Sequence, residues 1–369
     1  MSRCRDFADL AAAYSEDALG QRNMVTNGNM AISQRSGTTA YTTINSYTLD
    51  RWKIEHNALD NLAFEVTQST TVPDAFHGGY SLKYQTKTVE SAIASDEFLA
   101  LVQFFEGLNL QRLCYGTSSA KTMTLSFWVR SSLTGTFGVS LYQYDGGDVI
   151  GGTYTISSAD TWEYKTVSFV GNTGDAIAND NTSGFKVQWC LGMGSNYTGT
   201  ANTTWTSYTD AKRWNGHTQS ALLTTDESTW HITGVQLELG EVATEFEHEA
   251  YGDTLRKCQR YYYVAAEGND EPLGSGVAES ATSSSWTMPF PVTMRASPSI
   301  EDVEATNYYI SYGGGATDTF DGIKTADMSA KAAYCYNDAG LNAGGNTAGR
   351  GVVVSTNNAS SKVAFDAEL

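Results

Sequence analysis

The chain predicts a mainly β protein: a short N-terminal helix, a β-sandwich of antiparallel sheets, and a smaller Gly-rich β unit at the C-terminal end. Three observations predict it. Apolar residues recur with period two in many short runs, which places one face of each run on a core. Turn-forming Gly, Asn, Ser and Asp separate those runs at a spacing that suits a sandwich or barrel better than βαβ units. Helical spacing is convincing in one stretch, Arg5 to Leu19, where Phe7, Leu10, Ala11, Tyr14 and Ala18 share a face and Gly20 is placed to stop the helix. The expected domains are 1–22, 23–248 and 249–369.

Composition narrows the function. The 369 residues are 41% hydrophobic, 12% aromatic and only 17% charged, enough apolar surface for real cores joined by polar turns. A formal charge of −18 opposes phosphate backbones and anionic membranes, so nucleic-acid and membrane partners are not expected. The opening MSRCRDF lacks an apolar signal core, and no run of about 18 apolar residues offers a spanning helix. Cys4, Cys114, Cys190, Cys258 and Cys335 show neither a CxxC pair nor zinc spacing; they read as small buried side chains of a protein made in a reducing cytoplasm.

Taken in order, the N-terminal helix is marginal alone and needs its apolar face packed, on this chain or on a partner. From Asn23, short strands alternate with turns such as Asn27-Gly28. Leu49, Trp52 and Ile54 are expected in the core, with Asp50 and Arg51 outside. Phe64 and Val66 begin a strand that resumes at Leu82 and Tyr84. FFEGLNLQRL (Phe104 to Leu113) reads as strand and then helical turn. Met123, Leu125, Phe127 and Val129 form an inner row, with Lys121 and Arg130 at the rims. Phe137, Val139 and Leu141 form another, against Ser140 and Tyr142, and Gly146-Gly147 turns the chain. A local shift near Lys165 is expected, because Trp162 and Tyr164 are out of phase with Val167 and Phe169. Phe185, Val187, Trp189 and Leu191 continue the pattern.

Ser195 to Thr225 lacks a period and is rich in aromatics. Long loops of this kind are commonly functional. Tyr197, Trp205, Tyr208 and Trp214 are the candidate sugar contacts. Rings stack on the apolar faces of sugars, and neighbouring Asn, Thr and Asp take hydroxyls. The same rings could instead pack within the loop or anchor a protein interface. The strand Trp230 to Leu239 changes parity across Gly234, which predicts a bulge. Asp253 to Tyr263 is a short helix or arm. Beyond it, Trp286, Met288 and Phe290 alternate, Pro289 and Pro291 suggest an edge strand, and large apolar residues are sparse.

No GxSxG, HExxH, phosphate loop or dinucleotide fingerprint occurs. Glu65, Asp96, Glu97, Glu106, Glu238 and Glu247 have the right type for a glycosidase pair, but nothing pairs any two of them. No catalytic residue and no metal ligand set is therefore assigned.

Several stretches resemble one family. ITGVQLELGEVATEFEHEAYGDTLRKCQRYYY (Ile232 to Tyr263), NMVTNGNMAISQR (Asn23 to Arg35), YTLDRW (Tyr47 to Trp52), KTMTLSFWVRS (Lys121 to Ser131), SSADTWEYKTVSF (Ser157 to Phe169), LGMGSNYTG (Leu191 to Gly199), FPVTMRASP (Phe290 to Pro298) and FDAEL (Phe365 to Leu369) are similar to tail-fibre and virion surface proteins of phages, many of them marine. The resemblance implies that residues 23–248 are a jelly roll like those of carbohydrate-binding modules. It implies a structural virion protein on tail or capsid, a homotrimer that contacts host glycans. The N-terminal helix would then anchor it to other virion proteins through Phe7, Leu10 and Tyr14. Pooling of Trp286, Phe290, Tyr308, Tyr312 and Phe365 among three copies would complete the sparse C-terminal core. A non-adhesive decoration or adaptor protein is the alternative, and a depolymerase a third. No cofactor is implied except a structural calcium of the kind such jelly rolls hold, with Asp50 and Glu238 the positions to watch.

Overall fold

The computed structural model describes residues 22–35, 40–43, 45–59, 61–199, 202–214, 221–313, 316–337, 341 and 346–369. The N-terminal helix with Phe7, Leu10 and Tyr14, and Cys4, lie outside them. The chain is mainly β. Two compact units divide it, one ending at Tyr251 and one running from Gly252 to Leu369.

The first unit is a sandwich of two sheets. In order, its strands are β1 (Lys53–Asn57), β2 (Ala63–Ser69), β3 (Ser81–Thr88), β4 (Phe98–Glu106), β5 (Met123–Ser131), β6 (Gly135–Gln143), β7 (Asp148–Ile156), β8 (Glu163–Phe169), β9 (Ser183–Met193), β10 (Thr206–Ser207) and β11 (Thr229–Leu239). Six of them pair in the order β1-β4-β9-β6-β7-β10 and five in the order β2-β3-β11-β5-β8. All the pairings are antiparallel. Period-two alternation does what it predicts: Met123, Leu125, Phe127 and Val129 are fully buried, as are Phe137, Val139, Leu141, Phe185, Val187 and Trp189. Between the sheets, Trp189 meets Trp52 and Phe127, each with ring centroids 5.7 Å apart.

β11 is the strand where the N-terminal segment docks. Its register against β5 shifts between Thr233 and Gln236, where Gly234 takes φ +60. The irregular stretch is covered by residues 23–28: Met24 N donates to Leu237 O at 2.9 Å and Val235 N to Gly28 O at 2.9 Å. A Cβ on Gly28 would stand 2.1 Å from Val235 O, so only glycine allows this approach. Buried Asn27 (φ 58) holds the turn closed; its Nδ2 donates to Ile32 O (2.9 Å) and Asp50 O (3.0 Å), and its Oδ1 accepts from Ile32 N (3.0 Å). The far end of the unit returns to the same place. Arg22 Nη1 donates to Thr244 Oγ1 at 3.1 Å and Asn23 N to Glu247 Oε2 at 2.8 Å.

Four expectations need correction in the two units. Asp50 and Arg51 are buried, not outside. Both Asp50 oxygens accept from Gln34, and Arg51 Nη2 donates to Phe104 O at 2.6 Å, so both side chains find partners inside. Burial pushes the Asp50 carboxyl up against the opposing pull of Arg35. Secondly, β8 has no shift near Lys165: it pairs with β5 in unbroken register from Met123↔Phe169 to Val129↔Glu163. Tyr164 instead points outward against Trp128, and Lys165 keeps the inner parity by pairing with Glu163 at 2.6 Å.

The second unit begins in the helix Tyr251–Gln259 and then forms one antiparallel sheet of eight strands. These are β12 (Tyr262–Ala278), β13 (Ser284–Pro289), β14 (Ser299–Asp302), β15 (Tyr309–Gly313), β16 (Ala316–Phe320), β17 (Ile323–Met328), β18 (Ala332–Asn337) and β19 (Gly351–Asp366). The long strands β12 and β19 form its spine. The third correction concerns β13, which pairs on both sides rather than lying at an edge; Pro289 is tolerated because it lies past Trp286, the last residue paired to β12. Trp286, Tyr309, Phe320 and Phe365 are buried within this single chain. Trp286 and Phe365 are therefore spent inside the unit and are not available for pooling among copies.

Candidate functional site

The outer face of the six-stranded sheet is where the chain concentrates rings and charges. Register defines its rows. Lys53, Val102, Gln188, Ser140 and Gly151 pair in turn across β1, β4, β9, β6 and β7. One step along, Phe104, Lys186, Tyr142, Val149 and Thr206 pair across β4, β9, β6, β7 and β10. Their neighbours in sequence, such as Ile54, Phe185, Val187 and Leu141, point into the core, so these side chains must point away from it.

Residues 195–199 and 202–214 fold over one half of this face. A Cβ on Gly138 would stand 2.9 Å from Trp214 Cβ, which shows how closely the loop lies on β6. Trp214 is fully buried, with Phe98 at 5.4 Å and Tyr197 at 5.5 Å between centroids. Tyr197 is also buried and meets Phe98 edge-on at 5.2 Å. Arg213 lies between them, its Cζ 4.0 Å from the Phe98 ring and 4.5 Å from Trp214.

The other half remains accessible. Tyr144 is 38% exposed, and Tyr47, Tyr142 and Tyr208 are half-buried. Tyr142 meets Tyr144 at 4.8 Å and Tyr208 at 5.2 Å, both edge-on, so ring faces and edges alternate along this open strip of the face, called the groove below. At its floor, Lys186 Nζ contacts Glu55 Oε2 at 2.6 Å, and Arg213 Nη2 reaches the same oxygen at 3.1 Å. Arg213 Nε donates to Gln188 Oε1 at 3.0 Å, and Gln188 Nε2 to Ser140 Oγ at 2.9 Å. Burial pushes Glu55 up, but Lys186, Arg213 and Lys53 outweigh it and hold the carboxyl below its ordinary range. Burial, then Arg213, bring Lys186 down to about 8 against the pull of Glu55, with a smaller push from Lys53. Burial first, then the Glu55 charge, push the Tyr144 hydroxyl up, so it stays a neutral donor.

The sequence candidates divide accordingly. Tyr208 belongs to the open groove, where its hydroxyl donates to Asp210 Oδ1 at 2.9 Å. Tyr197 and Trp214 do not offer a ring to solvent: both pack within the loop, as the alternative reading of those residues allowed. Trp205 lies apart, bonded through Nε1 to Val170 O at 2.6 Å and edge-on to Tyr115 at 5.6 Å. Sequence reasoning missed Tyr47, Phe104, Tyr142, Tyr144, Lys186, Glu55 and Arg213. The available signal was a lysine between Phe185 and Val187, a charge at the outward position of an apolar strand.

Asp50 and Glu238, the calcium positions, are each taken up by donors. Glu238 Oε1 accepts from Thr244 N and Gln236 Nε2, both at 2.8 Å, and its Oε2 accepts from Thr244 Oγ1 at 2.6 Å. Among the described residues no three His, Cys, Asp or Glu side chains come together as a metal site.

No family model matches the chain, and no curated protein matches it. Solved structures do. The enzymatically active domain of Bacteriophage CBA120 tailspike protein 4 is 13% identical, with a TM-score of 0.33, over 59% of this chain and 22% of that one. TmCBM61 in complex with β-1,4-galactotriose is 11% identical, with a TM-score of 0.28, over 60% of this chain and all (100%) of that one. The family 11 carbohydrate-binding module of Clostridium thermocellum Lic26A-Cel5E is 10% identical, with a TM-score of 0.28, over 58% and 100%. This chain thus spans about a fifth of the tailspike domain's length. Likeness this remote assigns no ligand.

Proposed function

We propose that this chain is a non-catalytic, glycan-binding protein of a virion surface, a tail-fibre or receptor-binding subunit. The observation that carries the binding part is the open half of the six-stranded sheet's outer face. There Tyr142, Tyr144 and Tyr208 surround a floor of Lys186, Glu55, Arg213 and Gln188. Rings for sugar C–H faces and fixed polar groups for hydroxyls are what such a ligand requires. Binding rather than cleavage is the reading of Glu55, the carboxylate on this floor, and of Glu238. Hydrolysis of a glycosidic bond needs one protonated acid beside a second carboxylate. Glu55 is held ionised by its cations, and Glu238 is consumed by Thr244 and Gln236.

The virion setting, the trimer and the N-terminal anchor rest on the sequence resemblance alone. A glycan array probed with the purified protein tests the binding part: Tyr144→Ala should abolish a signal that the wild type gives. An unchanged signal would remove this face from the reading. Immunogold labelling of particles tests the setting, and light scattering of the purified protein tests the trimer.

A further inference from the structure

We infer that the sugar bound in the open groove is acidic, its carboxylate received between Lys53 and Lys186. This rests on the glycan-binding reading of the same face and adds the class of sugar. The two lysines stand in adjacent rows, on β1 and β9, with β4 between them. Their ammonium groups lie 5.5 Å and 5.4 Å from the centroid of one ring, that of Phe104. Lys186 also lies 6.0 Å from both Tyr142 and Tyr144. A pyranose resting on these tyrosines would bring a substituent on its ring carbon down toward the two ammonium groups.

Charge decides what that substituent should be. Lys186 and Arg213 share a single carboxylate oxygen of Glu55, while Lys53 makes no ion pair among the described residues. On the far rim, Asp210 accepts the Tyr208 hydroxyl, while Lys212 Nζ donates to Thr206 Oγ1 at 2.8 Å and acts electrostatically on Asp148. Lys53, Lys186 and Arg213 against the one carboxylate Glu55 leave the floor with two unmatched positive charges, in a chain whose net charge is −18. Crowded cations in a half-buried site repel one another, and the depressed Lys186 records that repulsion together with its burial. A carboxylate would relieve it through charge-assisted bonds, about twice as strong as those to a neutral hydroxymethyl group. Uronate residues carry such a group on the ring; neutral hexoses do not.

The test uses the full chain and isothermal titration at about 0.15 M ionic strength, where distant charges are screened. The probes are polygalacturonate and alginate, each beside its methyl-esterified form, with neutral β-1,4-galactan as a third. The expected result is binding to a uronate polymer at least about tenfold tighter than to its ester, with the preference lost in Lys53→Gln at unchanged melting temperature. Lys53 is half-exposed, and the comparison of acid with ester needs only the wild type, so a folding defect in the variant leaves the test decisive. Equal or tighter binding of the neutral or esterified polymers would overturn the acidic ligand while leaving glycan binding standing. Binding to none of these probes, nor to any sugar on a glycan array, would overturn both. An acid preference unchanged in well-folded Lys53→Gln would overturn the role given to this lysine pair.

Discussion

Trp214→Ala and Tyr144→Ala should have opposite phenotypes, although both residues lie on the same sheet face. Trp214 is fully buried, and truncating a buried tryptophan costs about 3–5 kcal/mol. The upper part of that range is expected, because Phe98 and Tyr197 lose a ring partner and Arg213 loses one of the two rings it stacks on. Tyr144 is 38% exposed, and its truncation should cost less than about 1 kcal/mol. Hydrogen exchange of the β9 amides, read by mass spectrometry, isolates the stability of the first unit from that of the second. Titration with the glycan identified on the array gives the binding. Trp214→Ala should lose protection, and Tyr144→Ala should lose affinity with native protection. Native protection in Trp214→Ala, within about 0.5 kcal/mol, together with abolished binding would refute it. In that case Trp214 would be presenting its face to the ligand.

Other outcomes follow from named contacts. Asn27→Ala strands three buried hydrogen-bonding groups and puts a Cβ-bearing residue without local bonds at φ 58; about 3 kcal/mol or more should be lost in urea unfolding, and a loss below about 1 would contradict the accounting. Gly28→Ala should destabilise by about 1–3 kcal/mol, because Val235 O must move; an unchanged melt would show that the turn yields freely. Affinity for an acidic sugar should fall as pH rises through about 8, where Lys186, faced by Glu55, Arg213, Lys53, Tyr142 and Tyr144, loses its proton; a flat profile from pH 7 to about 9.5 would exclude Lys186 as the partner. The sign reverses for folding. Between about 8 and the ordinary 10.5 the unfolded lysine binds more proton than the folded one, so this group's contribution to stability should rise with pH across that window in unfolding titrations of wild type against Lys186→Met. Glu55 acts at the acid end: its contribution is present above its ordinary 4.5 and is lost as pH falls through its depressed value.

Much of the framework was legible because burial of one face forces period two. Phe127, Val187 and Leu237 point inward for that reason, and the bulge at Gly234 was marked by a change of parity. The groove was not legible. Phe104, Lys186 and Tyr142 are dozens of residues apart, and what brings them together is the register of β4, β9 and β6, which no local pattern encodes. Asp50 misled because a buried carboxylate looks like a surface one until its donors, the Gln34 amides, are in view. Trp214 misled for a related reason. An aromatic in a polar loop has the same sequence signature whether the loop lies open or folds back onto a sheet.

The bonds that join Arg22 and Asn23 to Thr244 and Glu247 bring the two ends of the described part of the first unit to one point, with 224 residues of separation between Asn23 and Glu247 closed by a contact of 2.8 Å. Mechanically the unit is a side loop. Tension applied along the chain from before Arg22 to beyond Glu247 would load these few contacts and the pairing of Met24 with Leu237, while both sheets hang slack beside the line of force. Were that clasp to yield and the unit to unravel, the chain would lengthen by roughly 750 Å. Until then the groove on the six-stranded sheet keeps its shape under a pull that never crosses it.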